Sequence, residues 1–130
     1  MTTQGVTDFE GTSGPLVPSM MRVLPRVEIQ KEDSPTFAGL AVSAGFVVIR
    51  ARWNFMVPIG FGGVTNFSKV MASITELFSN PGDAGQINLP GIGNAHMYVR
   101  SVAPQNNVVF VNGYIDWERD LTVRVTLLVA

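Results

Sequence analysis

In the last stretch of the chain Leu121, Val123, Val125, Leu127 and Val129 fall on one set of alternate positions and Thr122, Arg124, Thr126 and Leu128 on the other. Side chains two apart share one side of an extended strand, whereas a helix would scatter them round its axis, so this run can bury itself only as a strand. The same period organises Phe46 to Phe55, with Val47, Ile49, Ala51, Trp53 and Phe55 on one face and Phe46, Val48, Arg50, Arg52 and Asn54 on the other. It returns in Val108 to Trp117, where Val109, Val111, Ile115 and Trp117 coincide, and a further strand is predicted from His96 to Val102. Pro104-Gln-Asn-Asn107 reads as a turn, and Glu118-Arg-Asp120 as the tip of a hairpin joining the last two strands.

One segment departs from this period. Val70, Met71, Ile74, Leu77 and Phe78 make an apolar stripe at helical spacing, Ser68 stands where an N-cap belongs, and Asn80-Pro-Gly82 would stop the helix. A short α-helix is therefore predicted over about 69–79. Gly82, Gly85, Pro90, Gly91 and Gly93 make the next stretch, to Asn94, read as a long loop, and Gly60-Phe-Gly-Gly63 as a flexible one. Helices do not alternate with strands, so parallel βαβ winding is disfavoured. The expected fold is mainly β: an antiparallel β-sandwich or barrel with one short α-helix and an extended amino-terminal arm.

The arm is residues 1–36, which carry Pro15, Pro18, Pro25 and Pro35 and glycines at 5, 11 and 14. Its three cations, Arg22, Arg26 and Lys31, stand against five acids, Asp8, Glu10, Glu28, Glu32 and Asp33, for a net charge of −2. Met20 to Ile29 alternates weakly through Val23, Val27 and Ile29, as an edge strand that tolerates proline would. Residues 37–130 form a single β-rich domain.

Charge is scarce. Lys, Arg, Asp and Glu make up 15% of the 130 residues, where soluble domains average about 25%. Eight of the 19 lie in the arm, which leaves 11 for the 94 residues of the body. With 46% hydrophobic residues and a net charge near zero, the chain has the composition of a folded domain rather than a disordered one. There is no cysteine, which removes disulfides, thiolate metal sites and cysteine nucleophiles. The longest nearly apolar run, Phe37 to Ile49, is 13 residues long, short of the roughly 20 that cross a bilayer as a helix, so no membrane span is expected. The first ten residues lack the basic start and apolar core of a secretory signal, so synthesis and retention in a cytoplasm are expected. A formal charge of −1 offers no broad attraction to nucleic acid.

Catalytic groups are few. His96 is the single histidine, without a G-x-S-x-G elbow or a second ligand at metal spacing, and reads as a surface or interface residue. Asp116 and Glu118 are paired carboxylates, as glycoside hydrolysis needs, but sit with Arg119 and Asp120 in a turn, where acids serve turn chemistry. The glycine clusters match neither a dinucleotide fingerprint nor a P-loop. Asn66-Phe-Ser68 fits a glycosylation sequon that a chain without a signal would not use. Arg50, Arg52 and Arg124, with Trp117, form a candidate ligand patch for a sulfate, a glycan or a strand of nucleic acid, against the simpler reading that the arginines pair with acids of the same sheet or of another subunit. No cofactor and no metal is expected.

A Met-Thr-Thr start, an extended arm, the absence of cysteine, and a body closing on Asn107-Val-Val-Phe-Val-Asn-Gly-Tyr-Ile-Asp-Trp117 and Leu121-Thr-Val-Arg-Val-Thr-Leu-Leu-Val129 resemble small bacteriophage virion proteins, namely capsid, decoration and tail subunits. The resemblance implies a non-enzymatic assembly protein resident in a virus particle, with itself and other virion proteins as partners, and assigns no residue a role. Genome-packaging coat proteins often carry a basic arm; this one is slightly acidic, against direct nucleic-acid contact. Candidate interface residues are Phe9, Leu16, Val17, Met20, Met21 and Val23 in the arm and Phe46, Val48, Phe110, Tyr114 and Leu128 in the body. The alternative is a carbohydrate- or receptor-binding β-sandwich such as a phage receptor-binding head, in which Trp53, Trp117, Tyr98 and Tyr114 stack on sugars and Asn106, Asn107 and Asn112 bond their hydroxyls. A small β-barrel enzyme working through His96 or Asp116 is the third class.

Overall fold

A computed structural model describes residues 20–32, 36–37, 40–79 and 87–130. Among these the fold is all strand: β1 Arg22–Val23, β2 Val27–Glu28, β3 Gln30–Lys31, β4 Thr36–Phe37, β5 Leu40–Ala41, β6 Ser43–Ala51, β7 Trp53–Gly60, β8 Val70–Ser79, β9 Ile87–Gly91, β10 His96–Gln105, β11 Val108–Asp116 and β12 Leu121–Val129. Two five-stranded sheets curl over one another as a sandwich or half-barrel. In the first sheet β7, β11 and β10 are antiparallel neighbours, with β1 and β2 parallel to the free edge of β7. The second runs β3-β6-β12-β8-β9, antiparallel throughout. β4 and β5 pair only with each other.

The period-two runs explain the core. β6 supplies Val47, Ile49 and Ala51, β7 Phe55, Val57 and Ile59, β11 Val109, Val111 and Ile115, and β12 Val123, Val125, Leu127 and Val129, and these side chains form one buried cluster between the sheets. Phe61 and Val64, from the β7–β8 connection, close one end of it. Asn107 ties that connection down: its side chain accepts from the Gly63 N–H at 3.1 Å and its own N–H donates to the Val64 carbonyl at 2.8 Å. It does so at φ 61°, a left-handed conformation that asparagine tolerates in turns.

Four sequence expectations need correction. The predicted helix over 69–79 is strand β8. Val70 and Ile74 fit a helical stripe and a strand equally, but Val70, Ala72 and Ile74 lean on the core while Met71 and Ser73 are exposed, which is alternation. The edge of β12 needs hydrogen-bond partners, and a ladder from Val129↔Val70 to Val123↔Glu76 supplies them. Ser68, expected to cap a helix, accepts the Thr65 N–H in a turn instead. Second, Phe46 to Phe55 is two strands in different sheets, parted at Arg52 with Trp53 at φ 56°. Third, Glu118-Arg-Asp120 joins β11 to β12 across the sandwich, not as a hairpin, because each strand already has partners in its own sheet. Fourth, the expected loop over 82–94 contains β9.

The arm prefix 1–19 and residues 33–35 lie outside the described residues. Residues 20–32 run as a strap across both sheets, on the edges of β7 and β6. Backbone bonds of 2.9 Å from Leu24 N to Met56 O, Ile29 N to Gly60 O and Glu32 N to Ala44 O seat it, and Leu24, Val27 and Ile29 pack on the core. It thereby closes the seam between β6 and β7. The fit depends on Gly45, where a Cβ would stand 2.5 Å from Ile29 Cγ1 and 2.8 Å from the Gln30 carbonyl oxygen. At Gly60 the obstructing atoms are the mobile ends of Glu28 and Arg26. Gly45→Val is therefore expected to destabilise by about 1–3 kcal/mol and to speed proteolysis within 20–32. Gly60→Ala should do markedly less; thermal melts with timed limited proteolysis measure both.

Candidate functional site

The outward positions of the long strands build two surfaces on opposite sides of the sandwich. On the first sheet, cross-strand register sets His96 beside Asp116, then Tyr98 beside Tyr114 and Asn54, then Ser101 beside Asn112, Met56 and Val23, then Ala103 beside Phe110 and Pro58, then Gln105 beside Val108 and Gly60. The rings of Tyr98 and Tyr114 stack at 5.7 Å. Asn112 is spent inside the sheet, donating to Asn54 Oδ1 at 2.9 Å and the Phe55 carbonyl at 2.7 Å. Charge stays at the margins: Asp116 at one end, Arg100 at the bulge in edge strand β10, and the Arg26–Glu28 pair on the strap. Val23 is 57% exposed and Tyr98 51%.

On the second sheet Arg50 pairs with Thr122, Val48 with Arg124 and Thr75, Phe46 with Thr126 and Ser73, and Ala44 with Leu128 and Met71. Met71 is 64% exposed and Val48 47%. The candidate interface residues thus divide: Val23, Phe110 and Tyr114 lie on the first face, with Met20 and Met21 exposed at the strap's start, while Phe46, Val48 and Leu128 lie on the second. Phe9, Leu16 and Val17 are outside the described residues. Met56, Pro58 and Met71 belong to these faces but escaped sequence reading. Met56 and Pro58 follow a sheet change that alternation does not mark, and Met71 also fits a helical stripe.

The arginines of the candidate patch separate. Arg52 sits where the chain leaves the second sheet, and its Nη1 donates to the Glu118 carbonyl at 2.9 Å, its Nε lies 3.8 Å from Asp120 Oδ1 and its guanidinium lies 4.8 Å from the Trp53 ring centroid. Arg22 reaches the same carboxylate at 3.5 Å and donates to the Arg50 carbonyl at 3.3 Å. Asp120 therefore clamps strap, corner and the β11–β12 connection together. Arg50 and Arg124 stay on the outer face, diagonal to each other, and Arg124 Nε is buried with no hydrogen-bond partner among the described residues. Trp117 packs on the core away from them, lining an open cleft of about 380 Å³ with Glu76, Phe78, Asn94 and Arg119.

Catalytic geometry is sparse. His96 and Asp116 are register neighbours, both exposed. Among the described residues no group of three or more His, Asp or Glu side chains could hold a metal ion, and no helix is long and apolar enough to cross a membrane. Compared with protein-family models, curated proteins and solved structures, the chain matches none.

The corner clamp sets an expectation for stability. Asp120→Ala leaves two partly buried guanidinium groups without their carboxylate and should destabilise by about 1–3 kcal/mol. Glu28→Ala, which breaks the exposed Arg26 pair, should stay within about 0.5 kcal/mol. Urea unfolding of the two variants beside the parent checks the contrast.

Proposed function

We propose that the chain is a non-enzymatic assembly subunit that associates through the two outer faces of its sandwich, and that its setting is a virion, as a capsid, decoration or tail component. The observation that carries this reading is the first-sheet face, where Val23, Met56, Pro58, Val108, Phe110, Tyr98 and Tyr114 form a continuous surface with charge only at its margins. An antiparallel sheet with one side in water ordinarily alternates apolar-in with polar-out. Here the outer side sets apolar and aromatic side chains among the uncharged Asn54, Ser101, Asn112 and Gln105, and interface centres are likewise depleted of charge. The second-sheet face carries Phe46, Val48, Leu128 and Met71 among threonines and Ser73, with Arg50 and Arg124 toward the crossover end. The virion setting rests on the resemblance of the arm and closing strands to small phage structural subunits.

At micromolar concentration the full chain is expected to sediment as an oligomer. Phe110→Lys should raise the dissociation midpoint about tenfold or more without shifting the thermal melt appreciably. A stable monomer across that range removes the assembly reading, and a monomer that binds a glycan array replaces it with carbohydrate or receptor recognition. Stoichiometric recovery with purified virus particles, by quantitative mass spectrometry, tests the setting separately.

A further inference from the structure

We infer that copies of this chain stack front to back, the first-sheet face of one against the second-sheet face of the next, related by translation along the sandwich normal. The inference rests on the assembly reading and adds to it the partner, a second copy, and the faces that meet.

Both faces are graded from the same end. The chain crosses between sheets at Arg52, and that crossing marks one end of the sandwich, shared by the carboxyl end of β6 and the start of β7. Trp53 pairs with Ile115, so Asp116 stands at this end on the first face, and Ala51 pairs with Leu121, so Arg50 and then Arg124 stand near it on the second. Away from it the first face continues through Tyr114, Met56 and Phe110 to Val108, and the second through Val48 and Phe46 to Leu128 and Met71. Translation lays Asp116 over the Arg50–Arg124 diagonal and sets apolar rows on apolar rows.

The two-fold alternatives fare worse. Pairing second faces about an axis along the strands sets Arg50 and Arg124 against their own copies; an axis across the strands buries them against Phe46, Leu128 and Met71. Like charges brought together, or an unpaired charge buried, oppose association. On the first face an axis across the strands sets Asp116 against the apolar Val108 end. Translation instead sets the carboxylate of Asp116 against the arginine pair, opposite charge on opposite charge.

A charge exchange tests this on the full chain, by sedimentation velocity with circular dichroism melts to establish folding. Asp116→Arg alone, and Arg50→Asp with Arg124→Asp alone, should each lose association by at least about tenfold, since each puts like charges across the contact. An equimolar mixture should recover it, because every face then meets its opposite. Raising salt to about 1 M, where the screening length is ~3 Å, should weaken the parent without any substitution. If either folded variant associates like the parent, or the mixture stays dissociated, the stacking is overturned while self-association stands. A parent that is monomeric throughout overturns both.

Discussion

The chain has to pass from one sheet to the other within a single residue, and most of the architecture follows from how it does so. β6 and β7 belong to one alternating run, and Ala51 and Phe55 both remain fully buried on either side of Arg52. Keeping that phase round a corner forces Trp53 into the left-handed region at φ 56°, a conformation bulky side chains avoid. What holds it is local: the Arg52 guanidinium on the indole, the Glu118 carbonyl on Arg52, and Asp120 shared with Arg22 from the strap. Corner, strap and the final crossover are thus one structure, and the strap can seal the β6–β7 seam because the corner has brought those two edges together.

The same corner sorts the charges. Of the few the body has, Asp120 and Arg52 are consumed inside the clamp, and Arg22 joins them from the strap. Arg50, Arg124 and Asp116 are left outside it, on opposite faces near one end. The low charge noted in the sequence is therefore an arrangement as well as a shortage. Each outer face keeps exposed apolar side chains, Val23 and Tyr98 on one and Val48 and Met71 on the other, among neutral polar neighbours.

How much of this the sequence discloses depends on the range of the interaction that decides each feature. β12 and β11 were legible because alternation is a property of neighbouring residues, and so was the inward or outward side of Val48, Phe110, Tyr114 and Leu128. β8 was not, because Val70 and Ile74 satisfy both periods, and the choice is made by the unfilled edge of β12, about fifty residues away in sequence. The sheet change at Arg52 was hidden for a related reason: alternation continues through it, and no glycine or proline marks it. The apparent hairpin at 118–120 failed because a short connection between two strands says nothing about whether each already has partners. For the candidate site, parity identified interface residues singly but could not divide them between two faces, since that needs the sheet assignment.

That division changes what kind of assembly the chain can make. One apolar face permits a closed pair, in which the same patch meets itself and association stops at two. Two different faces on opposite sides, graded from a common end, favour a heterologous contact, which leaves a free face on each terminal copy and continues until geometry closes a ring or does not. A sandwich with parallel faces would stack without limit. In the proposed stack the twist of β-sheets would add a tilt to that translation, and the angle between the two sheets of one subunit would then set whether the array curves shut. Under that proposal ring or filament would be decided by the packing of the same Val, Ile and Phe side chains that fold the monomer.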